Sequence, residues 1–205
     1  METLDYKVDL KEYYKASKKE PVIIDVPAFP FFLVNGTGDP NTSEHFQGAV
    51  KTLFTLSYTL KFAVKKAGIL DYKVMPLTGY WTLVDPKDRD ISNRENWAWT
   101  VGIQQPEAVD LEMIALARES VRKKKPEAIL DEVRYETVAD GLCAQILHVG
   151  PFAEENATFD RMHEFLEASG CRPREEGHRE IYLSDFNRTA PEKLKTILRK
   201  RLEKV

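Results

Sequence analysis

The chain has 205 residues, 42% of them hydrophobic and 31% charged, which fits one globular domain with a sizeable core and excludes a disordered chain. Its net charge of -3 and its pI of about 5.9 give a field that repels a phosphate backbone, so general nucleic-acid binding is disfavoured. The cysteines, Cys143 and Cys171, have no CxxC spacing and speak against a disulfide-stapled secreted scaffold, so a cytoplasmic protein is expected.

Residues 1–25 read as an N-terminal extension, charged in its first 20 residues, with no apolar core or cleavage site and partly helical character. No later stretch approaches the roughly 20 apolar residues of a membrane span, so neither export nor embedding is expected. Residues 26–205 read as a single domain. A β-rich run from Val22 through Phe29, Phe31, Phe32, Leu33 and Val34 stops at Gly36-Thr37-Gly38-Asp39-Pro40. A helix over 41–68 follows, capped by Asn41, Thr42 or Ser43, with Phe46, Val50, Leu53, Leu60 and Val64 at helical spacing and Gly68 at its end. Residues 72–85 and 97–105 form a predicted hairpin with a long polar loop. A second helix runs from Asp110 to about Lys125, where Arg122-Lys123-Lys124-Lys125 complements the helix C-terminus and Pro126 stops it. That charge run reads as a solvated helix end, with a nucleic-acid patch as the alternative.

The pattern then returns: a strand over 143–149, a helix over 154–169 closed by Gly170, and a strand over 177–186. Leu83 and Asp85 match Leu183 and Asp185, which places Tyr80 opposite Glu180 in the expected register. Thr189-Ala190-Pro191-Glu192 has the form of a capping box, and Leu194, Ile197, Leu198 and Leu202 after it predict a C-terminal helix over a sheet.

Several segments together resemble the GyrI-like small-molecule-binding family: Asn96-Trp97-Ala98-Trp99-Thr100 with Gln105-Pro106-Glu107, the run from Ile146 to Phe152, the run from His178 to Asp185, and the run from Arg188 to Leu194. The resemblance implies an α+β fold of two β-α-β-β modules about a pseudo-twofold axis, whose antiparallel sheets leave a ligand groove between them. Members of the family include drug-sensing domains fused to a DNA-binding head, a gyrase-inhibitory protein, and stand-alone cyclopropanoid cyclopropyl hydrolases that open the strained ring of DNA-alkylating natural products of the yatakemycin type. This chain shows no such head and is similar to the stand-alone members. Many relatives are expected to carry an acidic residue near position 78, where this chain has Thr78.

Alternation on the strand over 177–184 puts His178, Glu180, Tyr182 and Ser184 on one face, and Ile181 and Leu183 on the other. If the apolar face meets the helices, Glu180 and Tyr182 look into the groove; a solvent-facing glutamate is the alternative. A carboxylate among aromatic rings loses hydration, which suits a general base or the counter-charge of a cationic ligand. Trp97 and Trp99 share a face, as core or as a stacking platform for a flat ligand. Tyr80 and Phe152 are further ligand-binding candidates, and Tyr182 or Tyr135 the hydroxyl donor beside Glu180. His45, His148, His163 and His178 show no metal-ligand spacing, and no dinucleotide, P-loop or GxSxG pattern is present, so no metal and no cofactor are expected. The expected partner is a small hydrophobic or cationic organic molecule, taken up with or without hydrolysis. A gyrase-interacting module and a ligand-sensing partner of a separate regulator are the alternatives.

Overall fold

The computed structural model describes residues 3–88, 90, 92–175 and 177–204. The chain runs β1 (Thr3–Leu4), α1 (Tyr6–Asp9), α2 (Lys11–Tyr14), β2 (Val22–Thr37), α3 (Glu44–Lys66), β3 (Asp71–Tyr72), β4 (Leu77–Leu83) and β5 (Trp97–Gln104). It continues with α4 (Leu111–Lys124), β6 (Arg134–Val149), α5 (Asn156–Glu167), β7 (Cys171–Pro173), β8 (His178–Tyr182) and β9 (Lys195–Lys204). The main sheet has the order β6-β2-β5-β4-β8-β9-β7, and β6 pairs again with β9. Six antiparallel strands therefore close into one barrel-like sheet instead of two separate sheets. Closure leaves these strands without a free edge along the paired segments.

Local signals set the helix boundaries. The Ser43 side chain accepts from the Phe46 amide and caps α3, and Asp110 caps α4 through the Met113 amide. Phe46, Ala49, Leu53, Leu56, Leu60 and Val64 of α3 are buried with Phe32 and Val34 of β2 and with Val101 and Ile103 of β5. Met162 and Leu166 of α5 bury against Ala144, Ile146, Leu198 and Leu202. Thus α3 covers one stretch of the barrel's outer face and α5 covers another.

The expected C-terminal helix is not formed. Pro191–Lys193 makes a single 3-10 turn, and β9 follows, paired with β6, β8 and β7. Both faces of β9 are buried: Leu198 and Leu202 face α5, while Arg199 and Arg201 reach Asp140 on the inside. A strand buried on both sides carries adjacent apolar residues, and Ile197-Leu198 with Leu194 and Leu202 imitates a helical stripe.

The inside of the barrel holds a buried charge cluster beside the apolar group of Val26, Phe29, Phe31, Leu33 and Cys143. Asp140 accepts from Arg179 Nε (2.8 Å) and Nη2 (2.9 Å) and from Arg201 Nη2 (2.9 Å), with Arg199 Nη1 at 3.5 Å. Burial acts most strongly on the Asp140 carboxyl and raises it, yet the charges and hydrogen bonds of the arginines outweigh burial and hold it down at about 2. Arg199 also reaches the Tyr13 carbonyl and Gln145, and the Tyr14 hydroxyl donates to Gln104. The N-terminal residues thereby cover one mouth of the barrel. Among the described residues no helix is long and apolar enough to cross a membrane.

Candidate functional site

Glu180 lies on β8, where cross-strand pairing sets Gly79 of β4 on one side and Leu198 of β9 on the other. Alternation turns His178, Glu180 and Tyr182 to the outer face, beside Trp81 of β4. The Trp81 Nε1–H donates to the Tyr182 hydroxyl at 2.9 Å, and the Tyr182 hydroxyl in turn hydrogen-bonds to Glu180. On the other side, His178 Nε2 stands 2.8 Å from Glu180 Oε1. The phenol of Tyr182 is pushed well above its ordinary range, first by burial and then by the charge of Glu180.

A second carboxylate meets this group from the turn before α5. Glu155 is buried, and its Oε1 has no hydrogen-bond partner among the described residues. Burial first, and the Glu180 charge second, push its carboxyl up to about 9.

Aromatic rings enclose the pair. Phe152, Tyr182 and Phe186 meet edge to face with centroids 5.8 to 6.4 Å apart. Trp81 meets Trp97 at 5.7 Å and Phe46 of α3 at 5.9 Å, while Phe159 of α5 stands edge-on to His178 at 4.8 Å. The site is thus the outer barrel surface between α3 and α5. Trp97, Phe152 and Phe186 keep some exposure, so the aromatic wall is open to an incoming ligand. An open depression of about 970 Å³ elsewhere is lined by Lys18, Lys19, His148 and Arg161, and neither carboxylate lines it.

The structure brings Glu180, Tyr182, Phe152 and Trp97 together, the last through Trp81. It does not bring the other expected residues there. Trp99 is buried beneath α3, edge-on to Phe46 at 5.0 Å. Tyr135 lies opposite Phe32, and its hydroxyl is 3.5 Å from the Val109 carbonyl. The expected register is off by one residue: Gly79 faces Glu180, and Tyr80 faces Arg179. Tyr80 therefore points into the barrel, where its ring lies against the guanidinium groups of Arg179 and Arg201. Glu155 was not singled out in the sequence, although it closes the Gly150-Pro151 turn ahead of a helix that must pack on the sheet. Trp81 is buried and also hydrogen-bonds in the site.

The model of the GyrI-like small molecule binding domain matches residues 19–199. This chain belongs to the GyrI-like family. The GyrI-like protein is 38% identical to an uncharacterized conserved protein from Listeria innocua, with a TM-score of 0.92 over 98% of this chain and 100% of that one. It is 37% identical to a hydrolase from Listeria innocua, with a TM-score of 0.89 and the same coverage. The C-terminal domain of EcmrR shares the fold at 10% identity, with a TM-score of 0.53 over 91% of this chain and 98% of that domain. No curated protein matches the sequence.

Proposed function

We propose that this GyrI-like protein takes a flat, largely apolar organic molecule into the groove between α3 and α5 and hydrolyses a strained cyclopropane ring on it, as a protective enzyme against DNA-alkylating natural products. The observation that carries the reading is the pair of buried glutamates, Glu155 and Glu180, set among aromatic rings. The similarity to a Listeria hydrolase over nearly the whole chain supports it.

In the proposed reaction, Trp97, Trp81 and Phe152 hold the planar ligand by stacking and edge contacts. Glu180 takes a proton from a water whose oxygen bonds to a cyclopropane carbon. The ring C–C bond breaks, and its electron pair passes through the conjugated system to a carbonyl oxygen. Protonated Glu155 gives its proton to that oxygen. One water is added, nothing is oxidised, and a proton returning from Glu180 to Glu155 resets the pair. The Tyr182 hydroxyl already binds Glu180 and Trp81, so its role is to orient the base. A cationic planar compound without a strained ring would bind through Glu180 without turnover.

We also read β2-α3-β4-β5 and β6-α5-β8-β9 as modules related by a pseudo-twofold axis. In each, the third β-strand lies between the other two, and Asp85 and Asp185 make matching turn hydrogen bonds to the amides of Lys87 and Asn187, both at 2.9 Å. The function is tested by incubating the protein with a cyclopropane-bearing alkylator and looking for the ring-opened, water-added product by mass spectrometry. Glu180→Gln and Glu155→Gln are each expected to lower turnover by roughly 10²- to 10⁴-fold. Turnover at the wild-type rate in both would overturn the mechanism, and binding without product would leave a sequestering protein.

A further inference from the structure

The turn between β6 and α5 carries two groups of the site, Phe152 of the aromatic wall and the buried Glu155. Among the described residues no side chain caps the start of α5, so the helix does not fix this turn by itself. One buried side chain, His148 near the end of β6, reaches both ends of it. His148 Nε2 stands 3.1 Å from the Pro151 carbonyl oxygen, and Nδ1 stands 2.9 Å from the Thr158 hydroxyl. A carbonyl oxygen only accepts, so Nε2 carries the proton and Nδ1 accepts from Thr158. The Thr158 oxygen in turn accepts from Arg161 Nη2 at 3.1 Å, which gives every bond of the chain one direction. Gly150 makes room for the ring: its φ is +144°, and a Cβ there would lie 3.4 Å from Nε2.

We infer that His148 is a positioning residue of the site, aiming the Phe152 ring through the Pro151 carbonyl and holding the start of α5, with Glu155, through Thr158. The Pro151 carbonyl belongs to the peptide plane that ends at the Phe152 nitrogen, so tilting that plane turns the Phe152 side chain. The same oxygen accepts from the Glu154 amide at 2.9 Å, and its second lone pair takes the imidazole. The backbone bond closes the turn; the imidazole bond fastens the closed turn to β6. Alternation sets His148 on the face of Ala144 and Ile146, against which α5 is buried, so the ring stands between sheet and helix, where a satisfied polar chain rigidifies its surroundings. Phe152 is 41% exposed and meets Tyr182 and Phe186 only edge to face, so packing alone leaves its ring room to swing. His148 touches no reacting atom in the proposed reaction; it acts through Phe152 and Glu155.

Only the ligand-binding consequence rests on the proposed function; the placement of Phe152 is measurable in the protein alone. The experiment compares two amides of different reach. His148→Asn keeps an acceptor for Thr158 and falls short of Pro151, whereas His148→Gln carries an N–H to the Pro151 carbonyl. Para-fluorophenylalanine at position 152 reports ring placement by fluorine NMR, and the fluorescence of prodan, a flat uncharged naphthyl ketone, reports binding. In His148→Asn the fluorine resonance is expected to leave its wild-type position and prodan to bind about tenfold more weakly. His148→Gln should return both toward wild type. If His148→Asn does not fold, Thr158→Val, which removes the partner of Nδ1 and frees the ring from α5, takes its place and should move the same resonance. A wild-type fluorine resonance in a folded variant that has lost either link overturns the inference. A shift that His148→Gln repeats in full would reveal mere packing of the ring and overturns it equally. If prodan binds Trp97→Ala as tightly as wild type, the groove reading fails, and the fluorine resonance alone decides the role of His148.

Discussion

A Cβ placed on Gly79 would stand 2.9 Å from the Tyr182 hydroxyl and 2.6 Å from Trp81 Nε1, the two atoms whose hydrogen bond braces Glu180. Gly79 is thus required by close approach, since any side chain would occupy the space of that bond. Gly79→Ala is expected to push the indole and the phenol apart, costing about 1 to 3 kcal/mol of stability. Thermal unfolding checks the cost. A ligand-binding isotherm checks the larger effect, a weakened site; unaltered binding would mean that the Trp81–Tyr182 bond is dispensable.

The two tryptophans of β5 should respond differently to truncation. Trp99 is 2% exposed beneath α3, so Trp99→Ala should cost about 3 to 5 kcal/mol in urea unfolding. Trp97 is partly exposed on the aromatic wall, so Trp97→Ala should leave the fold nearly as stable and weaken binding of a planar ligand about tenfold. Equal loss of binding per unit of lost stability in both variants would place the ligand elsewhere.

Glu155 gives the folded protein a pH dependence of known sign. Its carboxyl is raised in the folded state, by burial first and then by Glu180, so the folded protein holds a proton that the unfolded chain has released. Stability contributed by this group is fully present below the ordinary glutamate value of 4.5 and is lost as pH rises toward about 9. Urea unfolding of wild type and Glu155→Gln at pH 5.5 and pH 8.5 should therefore show the variant gaining relative stability at the higher pH. No change in their difference between the two pH values would contradict the assignment.

Asp140 has the opposite sign. Its carboxyl is depressed from 3.8 to about 2, the arginines outweighing burial, so its stabilisation is present above 3.8 and is lost as pH falls toward 2. Asp140→Ala would leave Arg179 and Arg199 buried without their counter-charge and should cost about 3 to 5 kcal/mol. Acid unfolding curves test the first statement and urea unfolding the second. A variant as stable as wild type would show that Gln145 and the Tyr13 carbonyl suffice for Arg199 and the Thr78 hydroxyl for Arg179.

Much of this architecture was legible in residue patterns. Ser43 and Asp110 mark helix starts, and the apolar stripe of α3 has the right spacing, whereas the last strand, β9, was read as a helix. What misled was burial on two faces. Arg199 and Arg201 look like solvated helix residues until closure of the barrel turns them inward onto Asp140. The register of β4 against β8 was read one residue off, which put Tyr80 in the groove and hid Gly79. Of the site, alternation grouped Glu180 with Tyr182 but expected the helices on the opposite, Ile181 face, whereas α3 and α5 meet the Glu180 face itself; Glu155 sits in a Glu154-Glu155 pair whose members differ only in how the turn aims them. That aim depends on where α5 docks, a tertiary fact with no local signature.

Arg179 and Glu180 are neighbours on β8 with opposite destinations, one inside among acceptors and one outside among rings. Sliding this strand by a single step would drive a guanidinium into an oily wall and a carboxylate into the barrel's interior, while Asp140 lost its main partner. Both surfaces would be wrong at once. The same dipeptide therefore proofreads assembly and equips the site, and a chain that closed incorrectly would be both unstable and inert.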